Sequence, residues 1–405
     1  MSGPAALLDA VVHGVEPELC WLDGGAEAGS AIGRRPDRVV VADDLAALDE
    51  VEASWRAQPE HGWIGWVSYD LGAAALLGRA PRSSGLPHLV LRRYPNLCRS
   101  QTPLDGSGLG VEFGAPWPLE ALRPELAAEA YRDRVRAALE SIRAGDTYQI
   151  NASQKLFAPW TEAARTRSFG ARVAAVYHAL RRATPATMGA LILVDSERAI
   201  VSNSPETLLD LRLGGHPSGR DLARSWPIKG TRPRDPDPRR DRLAAEELCA
   251  SAKDRAEHVM IVDLVRNDLG SLAVPGTVRA PRAPSLVSLP TVHHLVSEVS
   301  CALAPGWSLR ALFAALFPGG SITGAPKRRS VEIIDELEGE ARGIYCGAIM
   351  ILDRLGVRVS IPIRTGVLDA RGLELRSGGG IVADSDPEAE RLETLAKARA
   401  FDRGR

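Results

Sequence analysis

Three runs near the C-terminal end decide the fold: Cys346-Gly347-Ala348-Ile349-Met350-Ile351-Leu352, Arg358-Val359-Ser360-Ile361-Pro362-Ile363-Arg364-Thr365 and Leu373-Glu374-Leu375-Arg376-Ser377. Each is aliphatic and rich in β-branched residues, and Asp, Gly and Arg separate them. They read as consecutive strands with no helix between. Further strands are predicted over 147–155 and 188–195. Helical spacing appears over 125–144, 169–183, 243–268, 308–317, 328–337 and 387–401. Strands grouped together, with helices segregated rather than in regular alternation, predict an α+β architecture. Residues 1–120 carry short strand-like runs (38–42, 63–67) and read as an N-terminal subdomain. A connector over 116–124 leads into the larger region, 121–405.

The 405 residues carry 50 basic and 51 acidic side chains, a net charge of −1, with no block of one sign. That excludes an electrostatic nucleic-acid footprint. The arginines of 232–242 alternate with Asp235, Asp237 and Asp241 and read as a solvated, proline-rich loop. Five scattered cysteines show no metal or disulfide spacing. No apolar run approaches the roughly 20 residues of a membrane span, and residues 1–12 lack signal-peptide character. The predicted compartment is the cytoplasm.

The chemistry concentrates in a few places. In Pro227-Ile228-Lys229-Gly230-Thr231, proline disfavours helix before it and Gly230 permits a sharp turn. Lys229 therefore reads as a fixed lysine, able to lose solvent and become a nucleophile; the pentapeptide taken alone favours a surface lysine at a strand end, and the rest of the chain reverses that. Asp254 and Glu257 share one face of a strongly apolar helix that reads as buried. Glu390 and Glu393 repeat the spacing, with Lys397 four residues further on. Two such pairs suit a hard dication such as magnesium, or are ordinary surface charge. The run 318–327 enters a helix through Gly319, Gly320 and Gly324, as an anion site or a plain turn. Gly378-Gly379-Gly380 reads as a second glycine-rich turn. Arg364 is a charge inside an apolar strand and needs a carboxylate, from a ligand or a salt bridge. His294 reads as a satisfied core histidine, and Glu206 as a helix-start acid or a general acid.

Together with Ala144-Gly145-Asp146-Thr147-Tyr148-Gln149-Ile150-Asn151, these motifs resemble the chorismate-utilising enzymes, most closely the branch that forms aminodeoxychorismate and next the anthranilate synthases. The resemblance runs from about residue 63 to 401. It implies a large antiparallel two-sheet sandwich with helices outside. It implies magnesium held by Glu257 and Glu393 with Asp254 and Glu390 in support, and a chorismate carboxylate on Arg364 and Tyr345. Lys397, Ser321 and Gly378 to Gly380 complete the carboxylate contacts, Glu206 is the general acid, and His294 lines the ring. Gln149 stands where water-activating members carry lysine, and Lys229 is the nucleophile of the aminodeoxychorismate branch. Ammonia would come from a glutamine amidotransferase subunit. A subunit that only docks the amidotransferase is the non-enzymatic alternative. The stretch Glu18-Leu19-Cys20-Trp21-Leu22-Asp23-Gly24-Gly25 departs from the tryptophan-binding motif of anthranilate synthases, so tryptophan inhibition is not expected.

Overall fold

A computed structural model describes residues 18–24, 29–100, 117–184, 186–289 and 292–402. The expectations for residues 1–12, Gly25 and Pro116 lie outside them.

Two antiparallel sheets and one small one carry the chain. The first is ten-stranded and runs from Gly324–Ala325 through Gln149–Pro159, Gly372–Ile381, Thr365–Leu368, Ala199–Ser204 and Met188–Leu193 to Cys20–Asp23 and beyond. The second, eight-stranded, includes Leu222–Ser225, Thr207–Arg212, Gly356–Ser360, Ala348–Asp353 and Gly62–Val67. The third pairs Ile228–Pro233 with Val292–Val296, and that strand with Ser285–Ser288.

Side-chain alternation shows why the large sheets stack. Ile64 and Trp66 point with Ala190, Ile192 and Ile200 into the apolar layer between the sheets. Trp63 and Val67 point the other way, into a layer shared with helices Ala47–Ala57 and Leu309–Leu316. Leu191 and Leu193 face the Phe169–Ala183 helix. A strand buried on both faces needs apolar residues at every position, and Gly62–Val67 is buried throughout. The architecture is the expected α+β sandwich with helices outside. Strands of the first 120 residues add to both sheets: Cys20–Asp23 pairs with Met188–Leu193, and Gly62–Val67 with Ala348–Asp353.

Several elements differ from the sequence reading. The predicted helix over 243–268 is two helices, Pro238–Ala250 and Ala252–Gly270, broken at Ser251, whose backbone is extended and whose side chain caps Asp254 N. The second helix is not buried as its apolar run suggested. It packs through His258, Ile261, Val262 and Leu269 and leaves Val259 half exposed. Residues 232–242 are no continuous loop: they end one strand and begin the Pro238–Ala250 helix, with Arg234 forked onto Asp241.

One ion pair ties the walls of the later site together. Glu338, at the end of the Lys327–Glu338 helix, and Arg342 are almost fully buried. Glu338 accepts from Arg342 at 2.7 and 2.8 Å and from Ser153 N and Oγ at 2.9 and 2.7 Å. Arg342 also donates to the Asn151 carbonyl and the Ile322 carbonyl. Burial pushes the Glu338 carboxyl up, but Arg342, Arg376 and Ser153 more than offset that and hold it at about 2. A carboxylate held below its ordinary 4.5 stabilises the fold above that pH and loses the contribution as pH falls toward 2. The full contribution is about 3 kcal/mol. Urea unfolding should therefore show Glu338→Gln well below the parent at about pH 6, with the gap cut to roughly half at about pH 3. An unchanged gap at the two pH values would contradict this.

Candidate functional site

The site forms where strands leave one large sheet for the other. Ala199–Ser204 lies in the first sheet and Thr207–Arg212 in the second, so Pro205 and Glu206 make the crossing. Beside them, Gly356–Ser360 and Thr365–Leu368 lie in different sheets, so residues 361–364 make the same crossing. Proline at 205 and 362 supplies no ladder N–H, which suits a break in pairing. The crossings are laced together: Ile361 N donates to the Glu206 carbonyl at 3.0 Å and Asn203 N to the Arg364 carbonyl at 2.9 Å.

Arg364 is thus not within a strand, as its apolar neighbours suggested. It sits in a bend with φ 49°, a left-handed conformation that sets it apart from both ladders. It makes no ion pair among the described residues, so the structural salt bridge is excluded there. Burial lowers its pKa, with Glu206 acting the other way. Burial raises the pKa of Glu206, and the Ser321 hydrogen bond, Lys229, Lys397 and Arg364 moderate the rise. Ser321 Oγ donates to Glu206 Oε1 at 2.6 Å.

Lys229 arrives from the third sheet. Pro227 ends the run out of Leu222–Ser225, and the strand Ile228–Pro233 continues through Gly230 as a bulge rather than the sharp turn expected. Register slips between Lys229, opposite Leu295, and Thr231, opposite His294. Gly230 takes φ 75°, and a side chain there would strike Leu248. Lys229 Nζ donates to Gln149 Oε1 at 3.2 Å. Burial lowers the lysine's pKa; Lys397 adds to the effect, while Glu257, Glu206 and Glu393 oppose it. His294 is held through Nδ1 by Thr231 Oγ1 at 3.0 Å and the Gly230 carbonyl at 3.2 Å. Its Nε2 is buried without a partner, so it is not the satisfied core histidine the sequence suggested.

Gly378 to Gly380 are not a turn. They belong to the ten-residue strand Gly372–Ile381, paired along its length with Gln149–Pro159. Their neighbours explain the glycines. A Cβ on Gly378 would lie 2.6 Å from Asn151 Oδ1 and 2.7 Å from the Tyr345 hydroxyl; on Gly379, 2.8 Å from Glu390; on Gly380, 3.1 Å from Lys229 Nζ. Gly378 and Gly380 share one strand face and open a floor under the lysine, whereas Gly379 faces the other way, toward Glu390. Lys397 reaches that floor at the Gly378 carbonyl, 3.1 Å, and pairs with Glu393 at 2.7 Å.

The four acids are placed differently. Glu257 and Glu393 both act on the Lys229 charge. Burial raises Glu257; it also pushes Glu393 up, but Lys397 and then Lys229 hold Glu393 below the ordinary value. Glu390 is raised by burial and accepts from Ser385 Oγ at 2.6 Å. Asp254 is turned to Arg232, 3.1 Å away. Among the described residues no three of His, Cys, Asp or Glu gather tightly enough to hold an ion by themselves.

One residue was passed over as a site residue in the sequence. Asn151, two positions after Gln149, is buried with Oδ1 unpartnered beside Gly378. Gln149 Nε2 is also unpartnered. Two buried polar atoms therefore lie against the floor without protein partners, and His294 Nε2 is a third unpartnered atom, on a ring within the field of Arg364. Only the even spacing of Gln149 and Asn151, which puts both on one strand face, could have signalled this.

The chain belongs to the chorismate-binding enzyme family, whose model matches residues 110–403. It is 42% identical to aminodeoxychorismate synthase component 1 of Klebsiella aerogenes over 68% of this chain and 58% of that protein, so it spans little more than half that relative's length. It is also 42% identical to an anthranilate synthase component 1 of Haloarcula marismortui over 94% of this chain and 78% of that one. The fold matches a 2,3-dihydroxybenzoate-specific isochorismate synthase from Bacillus anthracis at TM-score 0.74 and 22% identity, over 98% of both chains.

The lowered pKa of Lys229 is directly measurable. Labelling by trinitrobenzenesulfonate in magnesium-free buffer, followed by peptide mass spectrometry, should show Lys229 reacting with an inflection below the ordinary 10.5. Glu257→Gln removes a charge that supports the ammonium and should shift the inflection further down; Lys397→Met should shift it up. An inflection at the ordinary value in the parent would contradict the burial described.

Proposed function

We propose that this chain aminates chorismate as an aminodeoxychorismate synthase component I, with Lys229 as nucleophile. The observation that carries the reading is Lys229 itself: desolvated, fixed by a bulge, and in contact with Gln149 rather than with a second lysine. A desolvated amine holds a neutral fraction at moderate pH, and only the neutral amine attacks. Lys229 Nζ would form a bond to C2 as the ring double bond shifts and the C4 hydroxyl departs. Glu206, whose pKa burial raises, would donate the proton that lets the hydroxyl leave as water. Ammonia would then bond to C4, shift the double bond back and release the lysine. Arg364, Tyr345 and Lys397 would bind the carboxylates, and Ser321 would orient Glu206. His294 and Asn151 would offer their free atoms to the ring substituents.

Magnesium needs only one or two carboxylates when substrate and water supply the other oxygens. Glu257 and Glu393, the acids that share the Lys229 field, fit that requirement, with Glu390 behind them. When bound there, magnesium would neutralise a chorismate carboxylate and ease loss of the C4 oxygen. A glutamine amidotransferase would supply ammonia.

The test is a product assay with chorismate, magnesium and ammonium at alkaline pH, read by liquid chromatography with mass detection. The expected product has the mass of aminodeoxychorismate and becomes para-aminobenzoate on addition of a lyase. Lys229→Ala should lower turnover about a thousandfold and Glu206→Gln about a hundredfold or more. A second reading, anthranilate synthase, is favoured by the relative matched over 94% of this chain. It predicts anthranilate and pyruvate, and tolerance of Lys229→Ala.

A further inference from the structure

We propose that a cleft on the far side of the Ala252–Gly270 helix binds a small ring carboxylate that carries a hydroxyl or amine opposite its carboxylate. The cleft encloses about 380 Å³ between this helix and residues 278–284, within the size range of small-molecule sites. Val259 and Val262 form one wall; Val278, Ala280 and Pro281 form the other. These surfaces suit a flat apolar ring.

The floor is polar. His258 is 1% exposed, with Nε2 2.8 Å from Ser297 Oγ, and its Nδ1 is buried without a partner. A buried polar atom left unpaired is costly, and a ligand hydroxyl can satisfy it in either imidazole tautomer. The rim is cationic. Arg266, Arg279 and Arg282 face a single acid, Asp263. Arg266 pairs with Asp263 at 2.7 Å, and Arg279 donates to the carbonyls of Gly276 and Val278. Arg282 has no hydrogen bond or ion pair among the described residues and is exposed at the mouth. A carboxylate at Arg282, a ring between the valines and the 278–284 wall, and a hydroxyl on His258 use every feature of the cleft.

The cleft lining includes His258 but not Glu257 or Lys229. Successive helix residues project about 100° apart, so His258 turns from the Glu257 side toward the cleft, while still lying within the field of Lys229. The inference does not depend on which reaction the chain performs.

Isothermal titration of the full chain with 4-hydroxybenzoate, and with benzoate as the analogue lacking the hydroxyl, tests the site. One site is expected, with benzoate about threefold to tenfold weaker. His258→Leu should bring 4-hydroxybenzoate to the level of benzoate, and Arg282→Glu should weaken both. Val259→Trp, at a half-exposed wall position that tolerates bulk, should abolish binding even if the His258 variant fails to fold. Absence of binding to about 10 mM would overturn the proposal, well below any specific affinity. So would binding that Val259→Trp leaves unchanged, whether or not chorismate displaces it.

Discussion

The Glu338–Arg342 pair is the constraint on which the site depends. Two opposite charges taken out of water are tolerated only where geometry and added hydrogen bonds repay their desolvation. Here Ser153, Asn151 and Ile322 provide those bonds, from the strand that carries Gln149 and the turn that carries Ser321. Arg342 also lies against the rings of Tyr69 and Tyr345. The pair therefore fixes Gln149, Ser321 and Tyr345 relative to one another, although neither member reaches the floor they surround.

That rigidity matters because the site concentrates charge. Lys229, Lys397 and Arg364 share a small volume with Glu206, Glu257 and Glu393, and each alters the protonation of others. The balance separates two carboxyls: Glu206 is raised and Glu393 lowered. One is suited to hold a proton and the other to remain an anion. Such divergence between neighbouring groups is how a single pocket provides both an acid and a fixed negative charge. The glycine floor serves the same end, because it brings main chain, lysine and acids closer than any side chain would permit.

The sequence revealed the site's residue types better than their geometry. Lys229 beside Gly230 was legible because proline and glycine restrict the backbone locally. The grouped strands were legible because their apolar runs exceed what one buried face requires. Gly378 to Gly380 were misread because glycine favours turns locally, whereas here the deciding fact is the presence of Asn151, Tyr345, Glu390 and Lys229 at the missing Cβ positions. Arg364 was misread because an apolar stretch shows nothing of which sheet each half joins. The helix over 252–270 looked buried because a long apolar run does not disclose that only one face finds a partner. The even spacing of Gln149 and Asn151 signals only a shared face; that an atom of Asn151 or His258 is unpaired had no sequence signal, since satisfaction is a property of neighbours distant in the chain.

The central claim is that Lys229 is the nucleophile. Its most direct test is to incubate the protein with chorismate and magnesium in the absence of ammonia, quench with acid, and map the peptide containing Lys229 by mass spectrometry. The account predicts a chorismate-derived mass on Lys229 that disappears when ammonia is supplied. An unmodified Lys229, together with aminated product from Lys229→Ala, would contradict it.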